Sequence, residues 1–194
     1  RGNATENQFA KLLQAWWRRG FPEAEFSRTP LSGGSGLKDG WGLRGDIVTN
    51  NKDFPFFVEC KKEKAWNLHD LLTSEKGGRM GDYFRQIIAE NVNESVCMLR
   101  FSHPGPSQPT LIAIFITSNM EDGKNHRGPS VVYETATMLG FTHYIFDFGV
   151  QLNNQAHQVG GIILSIQSLL NTEPRDWAGM LSLPMINVHE VIPS

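Results

Sequence analysis

The chain has 194 residues, with 18 Lys+Arg against 20 Asp+Glu, 40% hydrophobic residues and two cysteines. That length and apolar share suit a single domain with a sizeable core, and no apolar run is long enough to cross a membrane. Charge is spread unevenly: residues 1–100 hold 15 Lys+Arg and 13 Asp+Glu, whereas residues 101–194 hold 3 and 7, so an anionic partner is expected to meet the first half. Cys60 and Cys97 are too few and too scattered for a disulfide framework or a zinc site. Both sit in apolar runs, which fits reduced, buried thiols in the cytoplasm, and no secretory leader is visible.

Residues 4–19 are expected to form an amphipathic helix, because Phe9, Leu12, Leu13, Trp16 and Trp17 recur at helical spacing, and Gly20 and Pro22 end it. Residues 27–45, SRTPLSGGSGLKDGWGLRG, read as a glycine-rich polar loop. A hairpin is expected over 45–62. A second helix follows over 78–92, with Tyr83, Phe84, Ile87 and Ile88 inward. VCMLRF (96–101) and LIAIFIT (111–117) read as buried strands joined by a turn-rich segment. Residues 119–130 form a surface loop, 131–139 a short helix and 143–148 another strand. Ile162, Ile163, Ile166, Leu169 and Leu170 mark a late helix, and the tail from Trp177 has no clear period. There are no repeats and no interdomain linker.

The stretch RGDIVTNNKDFPFFVECKKEK (44–64) carries the chemistry. Asp46 opens one apolar run, and PFFVECKK carries Glu59 and Lys61 along a strand. Alternation puts Phe57, Glu59 and Lys61 on one face and Val58, Cys60 and Lys62 on the other. A carboxylate inside an apolar run needs a partner or a metal. Two carboxylates and a lysine at one end of a sheet suit phosphodiester hydrolysis: oxygen ligands hold Mg²⁺, and an ammonium orients water or offsets developing charge. The alternative is an edge hairpin with a solvent-facing Glu–Lys pair, against which Phe56, Phe57 and Val58 argue for burial on both faces.

This pattern resembles the PD-(D/E)XK, or restriction-endonuclease-like, nuclease superfamily. Asp46 matches its first acid, Glu59 the second and Lys61 the lysine, with Gly45 where the name-giving proline stands. The resemblance covers about residues 1–117 and implies an α/β fold with an α-β-β-β-α-β core and a mixed central sheet flanked by helices. That order requires a further short strand near residues 23–29. Residues 118–194 are then peripheral elements of the same domain. The resemblance also implies Mg²⁺, with Mn²⁺ as a substitute, held by Asp46, Glu59 and the backbone carbonyl of Cys60.

Within the superfamily, RGNATENQFAKLL resembles the first helix of archaeal-type Holliday junction resolvases, which implies that Glu6 joins the metal site. The other reading of Glu6 is a capping box with Asn3 as N-cap. The loop RTPLSGGSG resembles the same group and related phage nucleases, pointing to Arg28, Ser32 and Ser35 as phosphate contacts; a connector without contacts is the alternative. Lys38, Arg44, Lys62 and Lys64 are further candidates for DNA backbone contacts. Trp41 suits either base stacking or docking on the core. Gln86 on the second helix either supports the catalytic lysine or water, as in many superfamily members, or is a surface residue.

The expected function is therefore a Mg²⁺-dependent DNA endonuclease, specific for branched DNA, acting as a homodimer in the cytoplasm with no membrane partner, and possessing a phage or mobile-element origin. The alternatives are a restriction-type, nicking or exonucleolytic enzyme on the same residues, and a non-catalytic DNA-binding module on a nuclease-like fold.

Overall fold

The computed structural model describes residues 2–29, 45–62, 66–69, 78–90, 96–102, 109–119, 130–140, 142–152 and 155–182. The first helix, α1, runs Gly2–Trp17. Its apolar stripe is buried as its spacing predicts: Phe9, Leu13, Trp16 and Trp17 are all sealed from solvent. Because α1 starts at Gly2, Asn3 lies within the helix and is not its N-cap, so the capping-box reading of Glu6 does not hold. The Trp16 indole N–H donates to Thr172 O at 2.9 Å, and that of Trp17 to Asn51 Oδ1 at 3.0 Å, tying α1 to two distant parts of the chain.

Two short strands follow, β1 (Phe26–Arg28) and β2 (Ile47–Thr49), paired antiparallel with Arg28 opposite Ile47. The short strand required near residues 23–29 is thus present, and it is the partner of β2. The hairpin expected over 45–62 does not form. The third strand, β3 (Phe56–Lys62), instead opens a separate five-stranded sheet, and its contact with the β2 segment is a single parallel bridge, Gly45 to Val58. The reason lies in the intervening turn. Asn50 Oδ1 accepts from Glu25 N–H at 2.8 Å, and Asn51 Oδ1 accepts from the Trp17 indole and from Asp53 N–H. The turn is committed to α1 and to the start of β1, not to a tight reversal.

Next come α2 (Gly78–Glu90), β4 (Val96–Ser102), β5 (Thr110–Asn119), α3 (Ser130–Leu139), β6 (Tyr144–Leu152), β7 (Gln155–Ser165), α4 (Ile166–Leu170) and α5 (Pro174–Ser182). The sheet order is β3-β4-β5-β7-β6, with β3 and β4 parallel and the other pairs antiparallel. Among the described residues the chain order α1-β1-β2-β3-α2-β4 follows the expected α-β-β-β-α-β order, but of these strands only β3 and β4 lie in the five-stranded mixed sheet; β1 and β2 form a pair apart from it. Alternation along β3 sorts two apolar layers. Phe56 and Val58 pack with α1, Met98, Ile114 and Trp177, while Phe57 packs with Tyr83, Phe84 and Ile87 of α2. Among the described residues no helix is long and apolar enough to cross a membrane.

In the last third of the chain the helix expected over 131–139 and the strand over 143–148 form, as α3 and β6, but the late helix begins only at Ile166. Residues assigned to the periphery supply two of the five strands, and β7 lies inside the sheet, paired with β5 from Leu111–Ser165 to Asn119–His157. Ile162 and Ile163 belong to β7 and not to a late helix; they enter opposite apolar layers, as neighbours on a strand must. A strand covered on both faces is a continuous apolar run, and such a run has no period by which to tell strand from helix. Pro174 opens α5 at a position that needs no N–H donor. There Trp177 is fully buried, edge-on to Phe56 at 5.7 Å, with its indole N–H donating to Thr172 Oγ1 at 2.8 Å.

Candidate active site

β3 brings Glu59 and Lys61 onto one face, two residues apart. Glu59 is 5% exposed, and its Oε2 lies 3.4 Å from Lys61 Nζ. A buried carboxylate thus has a cation beside it, which offsets part of the cost of removing both from water.

Asp46 sits in the turn before β2 and is strapped to β3 on both sides of Glu59. Its own N–H donates to Val58 O at 2.7 Å, and its Oδ2 accepts from Cys60 N–H at 2.8 Å. On the other side, Thr29 N–H donates to Asp46 O at 2.9 Å and Thr29 Oγ1 donates to Gly45 O at 2.6 Å. β1 therefore clamps the turn from one edge and β3 from the other.

Gly45 makes this approach possible. Its φ is +78°, and a Cβ there would lie 2.2 Å from Val58 O. The same φ explains why proline does not occupy the position. A pyrrolidine ring locks φ near −65°, so in this chain the turn requires glycine.

Glu6, on α1, forms an ion pair with Arg28 on β1, Oε2 to Nε at 3.3 Å, with both side chains largely buried. Burial pushes the Glu6 carboxyl above the ordinary carboxylate range, and the negative charge of Asp46 pushes it further, while Arg28 and Lys61 pull the other way. The helix acid therefore stands within electrostatic reach of Asp46 and Lys61. Burial also holds the Cys60 thiol well above its usual value, with Asp46 adding to the effect and Arg100 opposing it. The thiol stays protonated and offers no soft ligand. What Cys60 contributes is backbone: its N–H holds Asp46, and its carbonyl lies between Glu59 and Lys61 in the chain.

Two contributors escaped the sequence reading. Thr29 stands beside the singled-out Arg28 but carries no motif of its own; its role comes from pairing across to Gly45 and Asp46. Arg100 was read only as part of a buried strand. It lies opposite Cys60 in the β3–β4 register, is 8% exposed, and has its guanidinium 5.8 Å from the Phe9 ring. Burial lowers its pKa from the ordinary arginine value. An arginine inside VCMLRF was the available signal.

Lys62 is exposed on β3, and Gln86 is exposed on α2. Ser32, Ser35, Lys38, Trp41, Arg44 and Lys64 lie outside the described residues. Among the described residues no group of three or more His, Cys, Asp and Glu side chains gathers at metal-binding spacing. The acids that the strap sets at neighbouring points of β3, Asp46 and Glu59, are carboxylates, and burial, with the charge of Asp46 adding to it, raises the carboxyl of Glu6. This set fits a hard divalent cation such as Mg²⁺ or Mn²⁺.

Neither a curated protein nor a solved structure matches the chain. The family model described as "Phage putative PDDEXK endonuclease" matches residues 1–158, from α1 into β7 and across every residue of the Asp46–Glu59–Lys61 set. The shared element order, the strapped aspartate and that match together place the chain in this phage PD-(D/E)XK endonuclease family, to which it belongs.

Proposed function

We propose that the protein is a divalent-cation-dependent DNA endonuclease in which Asp46, Glu59 and the Cys60 carbonyl hold the cation and Lys61 serves the attacking water. The observation that carries this is the double strap of Asp46 onto Val58 and Cys60, which flank Glu59. It pins Asp46, by its backbone N–H and by one carboxylate oxygen, to the two residues that flank the buried Glu59 on the strand that also carries Lys61. The bound cation would polarise the phosphate and acidify water. The chain's own residues do the rest. Glu59 and Asp46, by holding the cation, would define where the phosphate sits. The Lys61 ammonium, 3.4 Å from Glu59, would orient the attacking water and offset charge as it develops on the phosphate oxygens. The products would be a 5′-phosphate and a 3′-hydroxyl.

The substrate reading is branched DNA. It is supported by the resemblance of the first helix and the glycine-rich loop to junction resolvases. It is also supported by candidate contacts (Ser32, Ser35, Lys38, Arg44, Lys62 and Lys64) that suit phosphates better than base edges. Symmetric cutting of two strands of a junction calls for two active sites, hence a homodimer. The family's phage association supports a reading in which the protein works in a host cytoplasm.

The test is cleavage of four-way junction, flap, single-stranded and linear duplex DNA side by side with Mg²⁺ or Mn²⁺. Preferential cutting of the junction, in either cation and abolished by chelation, is expected. Cleavage of a linear duplex that depends on one short base motif would replace this reading with a restriction-type one. Junction binding without cleavage in any cation would make the protein a non-catalytic module.

A further inference from the structure

Of the candidate DNA contacts among the described residues, Arg28 is engaged within the protein. Its Nε lies 3.3 Å from Glu6 Oε2 and 3.3 Å from Thr29 O, and its side chain is only 17% exposed. The strand that carries it is fixed on both sides. Arg28 pairs with Ile47 across β1–β2, and the next residue, Thr29, donates both its N–H and its hydroxyl to the Gly45–Asp46 turn. A guanidinium on such a mount is well placed to hold another side chain and poorly placed to reach out to a duplex. Glu6, its partner, projects from α1 one turn before Phe9, whose burial anchors that face of the helix.

We propose that Arg28 is a positioning residue that fixes the Glu6 carboxylate beside the Asp46 turn, and that its partner is this chain's own acid and not a DNA phosphate. The proposal rests on the nuclease reading for its catalytic consequence but not for the ion pair itself. Arg28 bridges α1 and β1 and places the helix acid next to the strapped acid. Without it, Glu6 would face the negative charge of Asp46 with less positive charge to offset it and with no ion-pair partner on β1, and would swing toward solvent. An arginine has five N–H donors, so a phosphate contact through the others is the rival assignment.

The two assignments separate in one set of variants: Arg28→Gln, Arg28→Lys, Glu6→Gln, and Arg28→Gln combined with Glu6→Gln. Binding to a labelled linear duplex and to a labelled four-way junction is measured in chelator across a salt series, melting temperature is measured without divalent ions, and kcat and KM are measured on the junction. If Arg28 positions Glu6, then Arg28→Gln leaves the slope of log affinity against log salt unchanged. Its melting temperature falls, and adding Glu6→Gln restores part of the loss. Its kcat falls without a change in KM, Arg28→Lys recovers part of that rate, and the double variant is no slower than Glu6→Gln alone, because one residue acts through the other. A slope reduced by about 0.9, with melting and rate effects that simply add, overturns the proposal and makes Arg28 a phosphate ligand. If Arg28→Gln does not fold alone, the double variant, which also removes the unpaired carboxylate, carries the salt slope against Glu6→Gln, and Arg28→Lys and Glu6→Gln carry the rate comparison. If the wild-type protein cuts no DNA, the nuclease reading fails, while the melting cycle still decides whether Arg28 and Glu6 are coupled.

Discussion

Gly45→Ala is expected to be among the most damaging single-methyl changes in this protein, because two independent penalties meet there. The first is conformational: φ is +78°, and holding an L-residue in the left-handed region costs about 1–2 kcal/mol. The second is steric. The new Cβ would lie 2.2 Å from Val58 O and 3.0 Å from its carbonyl carbon, both backbone atoms of a paired strand that cannot rotate away. Relief requires the turn to lift off β3. That breaks the bond from Asp46 N–H to Val58 O and the one from Cys60 N–H to Asp46 Oδ2. A neutral bond contributes about 1 kcal/mol net and one to a charged group about 1.5–3 kcal/mol, so the total reaches roughly 3–6 kcal/mol. That is a large share of the roughly 5–15 kcal/mol by which a domain is stable. Gly140→Ala is the control: φ is +68° but nothing lies within 4 Å of the added carbon, so only the conformational cost applies. Urea unfolding without divalent ions should show Gly45→Ala well below Gly140→Ala, and calorimetric titration should show its Mg²⁺ affinity reduced. Equal unfolding midpoints for the two variants would refute the claim that the Gly45–Val58 contact positions Asp46.

Other changes test other parts of the site. Lys61→Ala should lower the cleavage rate on the order of 10²–10³-fold while leaving DNA affinity near wild type, measured by single-turnover cleavage and by binding in chelator. Asp46→Asn and Glu59→Gln should each weaken Mg²⁺ or Mn²⁺ binding by on the order of tenfold or more in calorimetry; unchanged affinity in both would remove them as ligands. Trp177→Ala should cost about 3–5 kcal/mol, because it empties a fully buried site and strips Thr172 Oγ1 of its indole donor, and thermal melting reads it directly. For pH, the Glu6 carboxyl is raised in the folded state by burial and by Asp46. The folded protein therefore binds this proton more tightly than the unfolded chain. Its contribution is fully present below the unfolded glutamate pKa and is lost as pH rises through the higher folded value. Melting of the metal-free protein across that window should show the loss, and Glu6→Gln should flatten it.

Much of the site was legible from local sequence. The Asp46 … Glu59-x-Lys61 spacing, with an alternating apolar strand around Glu59, predicted which side chains share a face, and β3 carries them that way because side-chain alternation is a local property of an extended chain. The helical stripe of α1 and the inward residues of α2 were equally readable, since an amphipathic helix writes its period into a short window. The strand β7 was not, because it is covered on both faces and its apolar run carries no period.

What tertiary structure alone decided is how the segments meet. Sequence placed Asp46 near Glu59 through a hairpin, but the chain pairs β2 with β1 and reaches β3 by one bridge at Gly45. Nothing local to residues 45–62 says so, because the deciding hydrogen bonds come from Trp17, Glu25 and Thr29. The Glu6–Arg28 pair, the placement of Arg100 opposite Cys60 and the docking of Trp177 on Phe56 likewise join residues far apart in sequence. The residue types needed for the chemistry were thus written locally. Their geometry is a property of the packed sheet and the helix laid across it, because only the closed core holds a turn, a strand and a helix terminus at fixed distances.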